Sequence, residues 1–204
     1  MKKIGITLRQ DRNKYGIIID SVEEKLSSFI SSCGFHPVLI PNLPKDQFKI
    51  KNFTLDGYIL SGGTDLYRYS GKKYVLNREN IESLIIKKCM EKNLPLLGIC
   101  RGMQFINHFF GGKLSKSNKH AGTRHYIFFE KQLYYPKKIE KNSYHNFVIK
   151  KKNIGQKLTS LGSYENCTEF FKHKKKKIFG IMWHPEREKA KCKYDKKLIK
   201  KIFK

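Results

Sequence analysis

The segment Pro95-Leu-Leu-Gly-Ile-Cys-Arg-Gly-Met-Gln104 places one cysteine between two glycines, at the junction of two apolar patterns. An apolar run from Leu94 to Ile99 ends at Cys100, and apolar residues at helical spacing begin at Met103. This arrangement predicts a strand that turns directly into a helix, the cysteine form of a nucleophile elbow. The glycines leave room for so sharp a turn. The helix N-terminus favours thiolate, so we expect Cys100 to carry a covalent catalytic step.

The chain before this segment alternates between apolar runs and helical patterns. Strands are predicted near residues 3–8, 37–41, 57–60 and 94–99, with amphipathic helices at 22–33 and 81–89. Continuous apolar strands separated by helices are typical of a parallel sheet that is covered on both faces. The first half therefore predicts an α/β fold.

The second half contains shorter strand-like runs, at 126–129, 147–149, 167–171 and 178–183, and a closing helix near 198–203. The run Lys174-Lys-Lys-Lys177 separates the last two strands, and we interpret it as an exposed hairpin turn rather than a phosphate clamp. No repeat or linker divides the chain. Residues 1–204 are therefore predicted to form a single domain.

The charge of the chain is strongly positive, with 43 basic and 17 acidic residues and a net charge of +26. Only 7 of the basic residues are Arg, the side chain that contacts phosphates and base edges with two-pronged geometry. We interpret the lysine excess as solvated surface, and expect no nucleic-acid partner. A positive field would still attract an anionic small substrate.

The five cysteines show neither a C-x-x-C pair nor Cys/His metal spacing. This favours reduced thiols in the cytoplasm, and no metal is expected. The N-terminus reads as a strand rather than as the apolar core of a signal peptide. No apolar run approaches the roughly 18–20 residues that span a bilayer. We expect a cytoplasmic protein with no membrane partner; its oligomeric state is open, with a homodimer among the options.

A cysteine nucleophile needs a base, and His184 is the best placed of the seven histidines. It follows the apolar run 178–183, so it would emerge at a strand end. Glu186 lies two residues further on, and its carboxylate could fix the tautomer of the ring. An isolated His-Pro-Glu triplet would be an ordinary surface turn; beside a G-x-C-x-G elbow, the catalytic interpretation is preferred.

Ser61-Gly-Gly63 also follows a predicted parallel strand, and such sheets place their sites at the carboxyl ends of strands. A backbone N–H of this turn, with that of Arg101, could form an oxyanion hole. Alone, Ser-Gly-Gly is an ordinary turn.

The polar and aromatic segment Asn142-Ser-Tyr-His-Asn-Phe147 precedes another short strand. It is either a substrate-facing loop with His145 near the ligand or a turn with a satisfied histidine. His108 is expected to pack against the core rather than act in catalysis. The remaining histidines show no partner pattern and receive no role; they are His36, His120, His125 and His173.

Together these motifs resemble class I glutamine amidotransferases, and within them the free-standing γ-glutamyl hydrolases related to γ-glutamyl-γ-aminobutyrate hydrolase. The resemblance implies a flavodoxin-like three-layer α/β/α sandwich with a mostly parallel central sheet, and no cofactor. It implies a Cys100–His184–Glu186 triad with backbone oxyanion donors at Gly63 and Arg101. The substrate-binding residues that it implies are Gly62, Gln104, Ser143, Tyr144 and His145.

A narrower likeness within the family rests on 142–147, 171–174 and 179–188. It implies a nucleotide-linked γ-glutamyl substrate, cleaved to glutamate and cytidine diphosphoramidate for capsule synthesis. After Asp65 the chain departs from the γ-aminobutyrate branch, because it reads Leu66-Tyr-Arg-Tyr-Ser-Gly71. Three alternatives are kept: a γ-glutamyl-γ-aminobutyrate-type hydrolase, a glutaminase subunit that delivers ammonia to a separate synthase, and a basic nucleic-acid-binding protein.

Overall fold

The computed structural model describes residues 1–44, 46–130, 135–188 and 192–204. Its helices and strands alternate in the first half of the chain and are mostly strands in the second. In chain order they are β1 (Lys3–Thr7), β2 (Arg9–Arg12), β3 (Ile18–Ser21), α1 (Glu24–Ser32), β4 (His36–Ile40), β5 (Gly57–Leu60), α2 (Tyr67–Ser70), α3 (Leu76–Lys92), β6 (Leu96–Ile99), α4 (Arg101–Phe109), β7 (Ser115–Lys116), β8 (Thr123–Phe129), β9 (Lys138–Ser143), β10 (Phe147–Val148), β11 (Leu158–Tyr164), β12 (Cys167–His173), β13 (Ile178–Ile181) and α5 (Cys192–Phe203).

Nine strands form the central sheet, in the order β4-β1-β5-β6-β13-β12-β11-β8-β9. The first five are parallel to their neighbours, and the remaining four extend the sheet in antiparallel pairs. The predicted α/β fold is confirmed. The antiparallel extension is an addition that the sequence patterns did not reveal, because β9 and β11 are short of apolar residues.

Helices cover both faces of the sheet. Side chains of α1 and α5, among them Ile30 and Ile199, pack with Ile59 and Leu97 on one face. Side chains of α3 and α4 pack with Tyr58, Leu60 and Leu96 on the other face. Alternate residues of β5 and β6 therefore point into opposite cores, as expected for strands between two helical layers. This arrangement is the three-layer α/β/α sandwich.

The elbow between β6 and α4 is possible because two glycines let backbone approach backbone. A Cβ on Gly98 would lie 2.6 Å from the carbonyl carbon of Gly102, and one on Gly102 would lie 2.0 Å from the carbonyl oxygen of Leu60. Cys100 itself has φ 51°, in the left-handed region that non-glycine residues rarely adopt. This strain is typical of a functional position.

The remaining predictions from the second half agree with the structure. Lys174–Lys177 forms the turn between β12 and β13, and α5 closes the chain. Within the part of the chain that the structure describes, no helix is long and apolar enough to cross a membrane.

Candidate active site

Cys100 and His184 meet at the carboxyl edge of the parallel strands. The strands β6 and β13 are neighbours, and Ile99 is in register with Ile181. The residues that follow them therefore emerge at the same edge. Gly62 lies against both: a Cβ there would be 2.8 Å from Cε1 of His184 and 3.7 Å from Cβ of Cys100. Cys100 and His184, which are 84 positions apart in the sequence, therefore both lie next to Gly62.

Glu186 lies on the far side of the imidazole. Its Oε1 is 2.6 Å from Nδ1 of His184, so a proton on Nδ1 is donated to the carboxylate and Nε2 is left for the thiol. Burial opposes protonation of the ring, but the negative thiolate of Cys100 and the Glu186 carboxylate outweigh it and raise the pKa of His184 to about 10. The arrangement therefore favours a protonated imidazole beside the sulfur of Cys100.

Asn142, at the end of β9, holds the backbone of His184. Its Oδ1 accepts a hydrogen bond from the His184 N–H at 2.9 Å, and its Nδ2 donates to the His184 carbonyl at 2.8 Å. The same Nδ2 donates to Glu188, which also binds Arg124. The sequence analysis did not assign Asn142 a role, since only the long-range pairing of β9 brings it beside His184.

A buried ionic network lies beneath the turn that follows β5. Glu82 is fully buried on α3 and pairs with Arg101 and with Arg78, whose Nε lies 2.9 Å away. Arg78 also donates to the carbonyl of Ser61 at 2.6 Å, and Thr7 donates to Glu82 at 3.0 Å. The network therefore ties the first residue of α4 to the Ser61 turn, the two segments expected to supply oxyanion donors.

Two cavities, each of about 340 Å³, adjoin Cys100. The base-side cavity is bordered by His184, Glu186, Glu23 and Arg187. The elbow-side cavity is bordered by a second set, which includes Asp65, Lys72, Arg101, Gln104, His145 and Asn146. Arg9 borders both, and its side chain crosses Gly63, where a Cβ would lie 2.2 Å from Cδ of Arg9. Gly63 has φ +114°, a conformation that favours glycine.

The predicted substrate-binding residues do not all lie in these cavities. Gln104, Tyr144 and His145 line the elbow-side cavity, and Gly62 lines the base-side cavity. Ser143 lies apart from both linings: it is fully buried, and its hydroxyl has no hydrogen-bond partner among the described residues. Arg9 is a cavity residue that the sequence analysis missed, because the hairpin of β2 and β3 that carries it was not predicted.

Fold and site together define a class I glutamine amidotransferase-like protein. The chain belongs to the Peptidase C26 family, whose sequence profile matches residues 3–186.

Two curated relatives and one solved structure are similar to this chain. It is 43% identical over 194 residues to the γ-glutamyl-CDP-amidate hydrolase of Campylobacter jejuni, with 91% of this chain and 90% of the relative covered. It is 32% identical over 139 residues to a subunit of the glutamine-hydrolysing GMP synthase of Methanococcus vannielii, with 67% of each covered. A crystal structure from Thermoplasma acidophilum, described as that of a GMP synthase subunit, superposes with a TM-score of 0.72 at 23% identity and covers 100% of this chain and 92% of its own.

Proposed function

We propose that the protein hydrolyses a γ-glutamyl amide with Cys100 as nucleophile, His184 as base and Glu186 as the group that orients the base. The observation that carries this proposal is the convergence of Cys100 and His184 on Gly62, with Glu186 2.6 Å behind the ring. A nucleophile, its base and an orienting group within contact distance are the signature of covalent acyl transfer.

The reaction begins when the thiolate of Cys100 attacks the γ-carbonyl carbon. The negative oxygen that forms is stabilised by the N–H groups of Gly63 and Arg101; Arg101 is the first residue of α4, so its N–H has no acceptor within the helix. His184 gives its proton to the leaving nitrogen, the C–N bond breaks, and a γ-glutamyl thioester remains. His184 then takes a proton from water, which attacks the thioester and releases glutamate with the thiolate restored.

The two cavities divide the substrate between them. Gln104, Tyr144 and His145 border the elbow-side cavity, where the glutamyl end would bind. The leaving group then occupies the base-side cavity, beside the ring that protonates it. Arg9 and Arg187 border this cavity. Each guanidinium group pairs with one carboxylate, Arg9 with Asp11 and Arg187 with Glu23, and its remaining N–H groups suit a diphosphate, since arginine contacts phosphate oxygens in pairs.

The preferred substrate is therefore γ-glutamyl-CDP-amidate, cleaved to glutamate and cytidine diphosphoramidate. The 43% identity to a hydrolase named for this compound supports the assignment. The product would serve capsule phosphoramidate synthesis. The nucleotide is the small-molecule partner in this proposal.

The test is a panel of γ-glutamyl compounds assayed for glutamate release: glutamine, γ-glutamyl-γ-aminobutyrate and γ-glutamyl-CDP-amidate. We expect turnover of the last to exceed the others, and to vanish in Cys100→Ala. Unchanged turnover in that variant would refute the covalent mechanism. Preference for the second compound would instead select the γ-aminobutyrate-type hydrolase.

Arg9→Gln tests the diphosphate contact. We expect kcat/KM for the nucleotide substrate to fall by about 10-fold or more, with glutamine hydrolysis little changed, because a charge-assisted contact to phosphate is lost. Arg12→Gln is the matched control, since Arg12 lies on the same strand and is exposed as Arg9 is, but it borders neither cavity. An equal loss on both substrates would show that Arg9 supports the site in general rather than the diphosphate.

A glutaminase subunit that feeds ammonia to a separate synthase is the second candidate. The 32% identity to a subunit of a GMP synthase favours it. Such a protein would hydrolyse glutamine and would be slow without its synthase. Fast hydrolysis of γ-glutamyl-CDP-amidate by the isolated chain would exclude it.

A further inference from the structure

A cluster of buried histidines lies beside the elbow-side cavity, and of these only His145 borders the cavity. His120, His125 and His145 surround Glu169, and each of the four is at most 7% exposed. Nδ1 of His120, Nε2 of His125, Nε2 of His145 and Oε1 of Glu169 have no hydrogen-bond partner among the described residues. Because buried polar atoms are nearly always hydrogen-bonded, four such atoms in one place indicate a missing ligand.

The distances within the cluster suit a metal ion better than direct hydrogen bonds. From the carboxylate oxygens of Glu169, Nδ1 of His120 is 3.7 Å away, Nε2 of His125 is 3.6 Å and Nε2 of His145 is 3.8 Å. These separations are too long for N–H···O bonds. Two ligands of a tetrahedral zinc ion with bonds of about 2.1 Å lie about 3.4 Å apart. One ligand atom from each of His120, His125 and Glu169 already lies within 4.8 Å of the other two.

The orientation of the His145 ring also suits a neighbouring cation. Nδ1 of His145 donates to the carbonyl of Phe147 at 2.9 Å, which leaves Nε2 facing Glu169 as a lone-pair nitrogen. Metal-binding histidines commonly use their second nitrogen in this way.

We propose that His120, His125 and Glu169 bind a zinc ion, with His145 as the neighbouring fourth ring. Among the described residues Glu169 has no ion pair with a Lys or Arg, so the cation would neutralise a buried carboxylate that otherwise has only histidine rings beside it. The ion would join β12 to β8 and to the segment just before β8, and it would lie beside His145 in the segment after β9. Since His145 also borders the elbow-side cavity, the ion would hold that wall in place without touching the reacting atoms.

Zinc titration of the metal-stripped Cys100→Ala protein tests the proposal, because this variant removes the catalytic thiol as a competing ligand. We expect one ion with Kd below about 1 µM. The double variant His120→Gln/His125→Gln should bind at least about 100-fold more weakly, since it loses two ligands. His36→Gln is the matched control, because His36 is exposed on β4; its affinity should not change.

A second group, Glu23, His184 and Glu186, could also hold an ion, so His184→Gln is titrated as well. Loss of zinc in His184→Gln, unchanged binding in the double variant, or no binding by the Cys100→Ala protein would each overturn the proposal. If the double variant does not fold, X-ray absorption of the zinc-loaded Cys100→Ala protein decides. Two or more imidazole ligands support the cluster, whereas a single imidazole indicates the active-site group.

Discussion

Replacing Gly62 with alanine should displace the imidazole of His184, the proposed base. The new Cβ would lie 2.8 Å from Cε1 of His184, whereas non-bonded carbons prefer about 3.5–4.0 Å. The ring must therefore withdraw by about 1 Å. It can do so only by straining its 2.6 Å contact with Glu186 and the two backbone hydrogen bonds to Asn142. A misplacement of about 1 Å costs about 100-fold in rate, and we expect kcat to fall by about 10- to 100-fold.

Glutamate release gives kcat and KM, and the rate of Cys100 alkylation by iodoacetamide reports the thiolate independently. Gly34→Ala is the control: its φ is +89° and an added Cβ meets nothing within 4 Å, so it should cost about 1 kcal/mol of stability and no activity. Wild-type kcat and an unaltered alkylation rate in folded Gly62→Ala would refute the placement of His184 as the base beside this glycine.

Three further outcomes follow from the buried contacts of the site. In the wild type, the His184 ring should keep its proton until the pH approaches about 10. Cys100→Ala should lower this pKa, because the negative sulfur beside the ring is removed. NMR titration of the ring checks both expectations, and the same pKa in the wild type and in the variant would contradict the ion pair. Asn142→Ala should lower the free energy of unfolding by about 2–4 kcal/mol in urea, since it leaves the buried backbone groups of His184 unpaired. Glu82→Gln should cost about 3–5 kcal/mol in the same assay, because Arg78 would remain buried without its carboxylate and Arg101 would keep only the 3.5 Å pair with Glu79; a loss below about 1 kcal/mol would show that the network is dispensable.

Long-range pairing explains what the sequence patterns failed to show. Lys141 reads as a surface residue, yet it is fully buried on β9 and pairs with Asp195. His120 and His125 lie on one stretch of chain with four residues between them, but Glu169 is 44 positions further on, and only the pairing of β8, β11 and β12 brings it to them. In each case the partner is remote in sequence, so no local pattern reveals it.

The elbow is different, because its causes are local. Glycines at positions 98 and 102 and an apolar strand before Cys100 dictate the turn wherever the segment lies, and the His184-Pro-Glu186 triplet carries its own orienting carboxylate. The amino-acid order alone therefore determined the α/β class and pointed to the residues proposed as nucleophile and base. The contact between them, the two cavities and the histidine cluster were decided by the tertiary structure, because each depends on which strands become neighbours in the sheet.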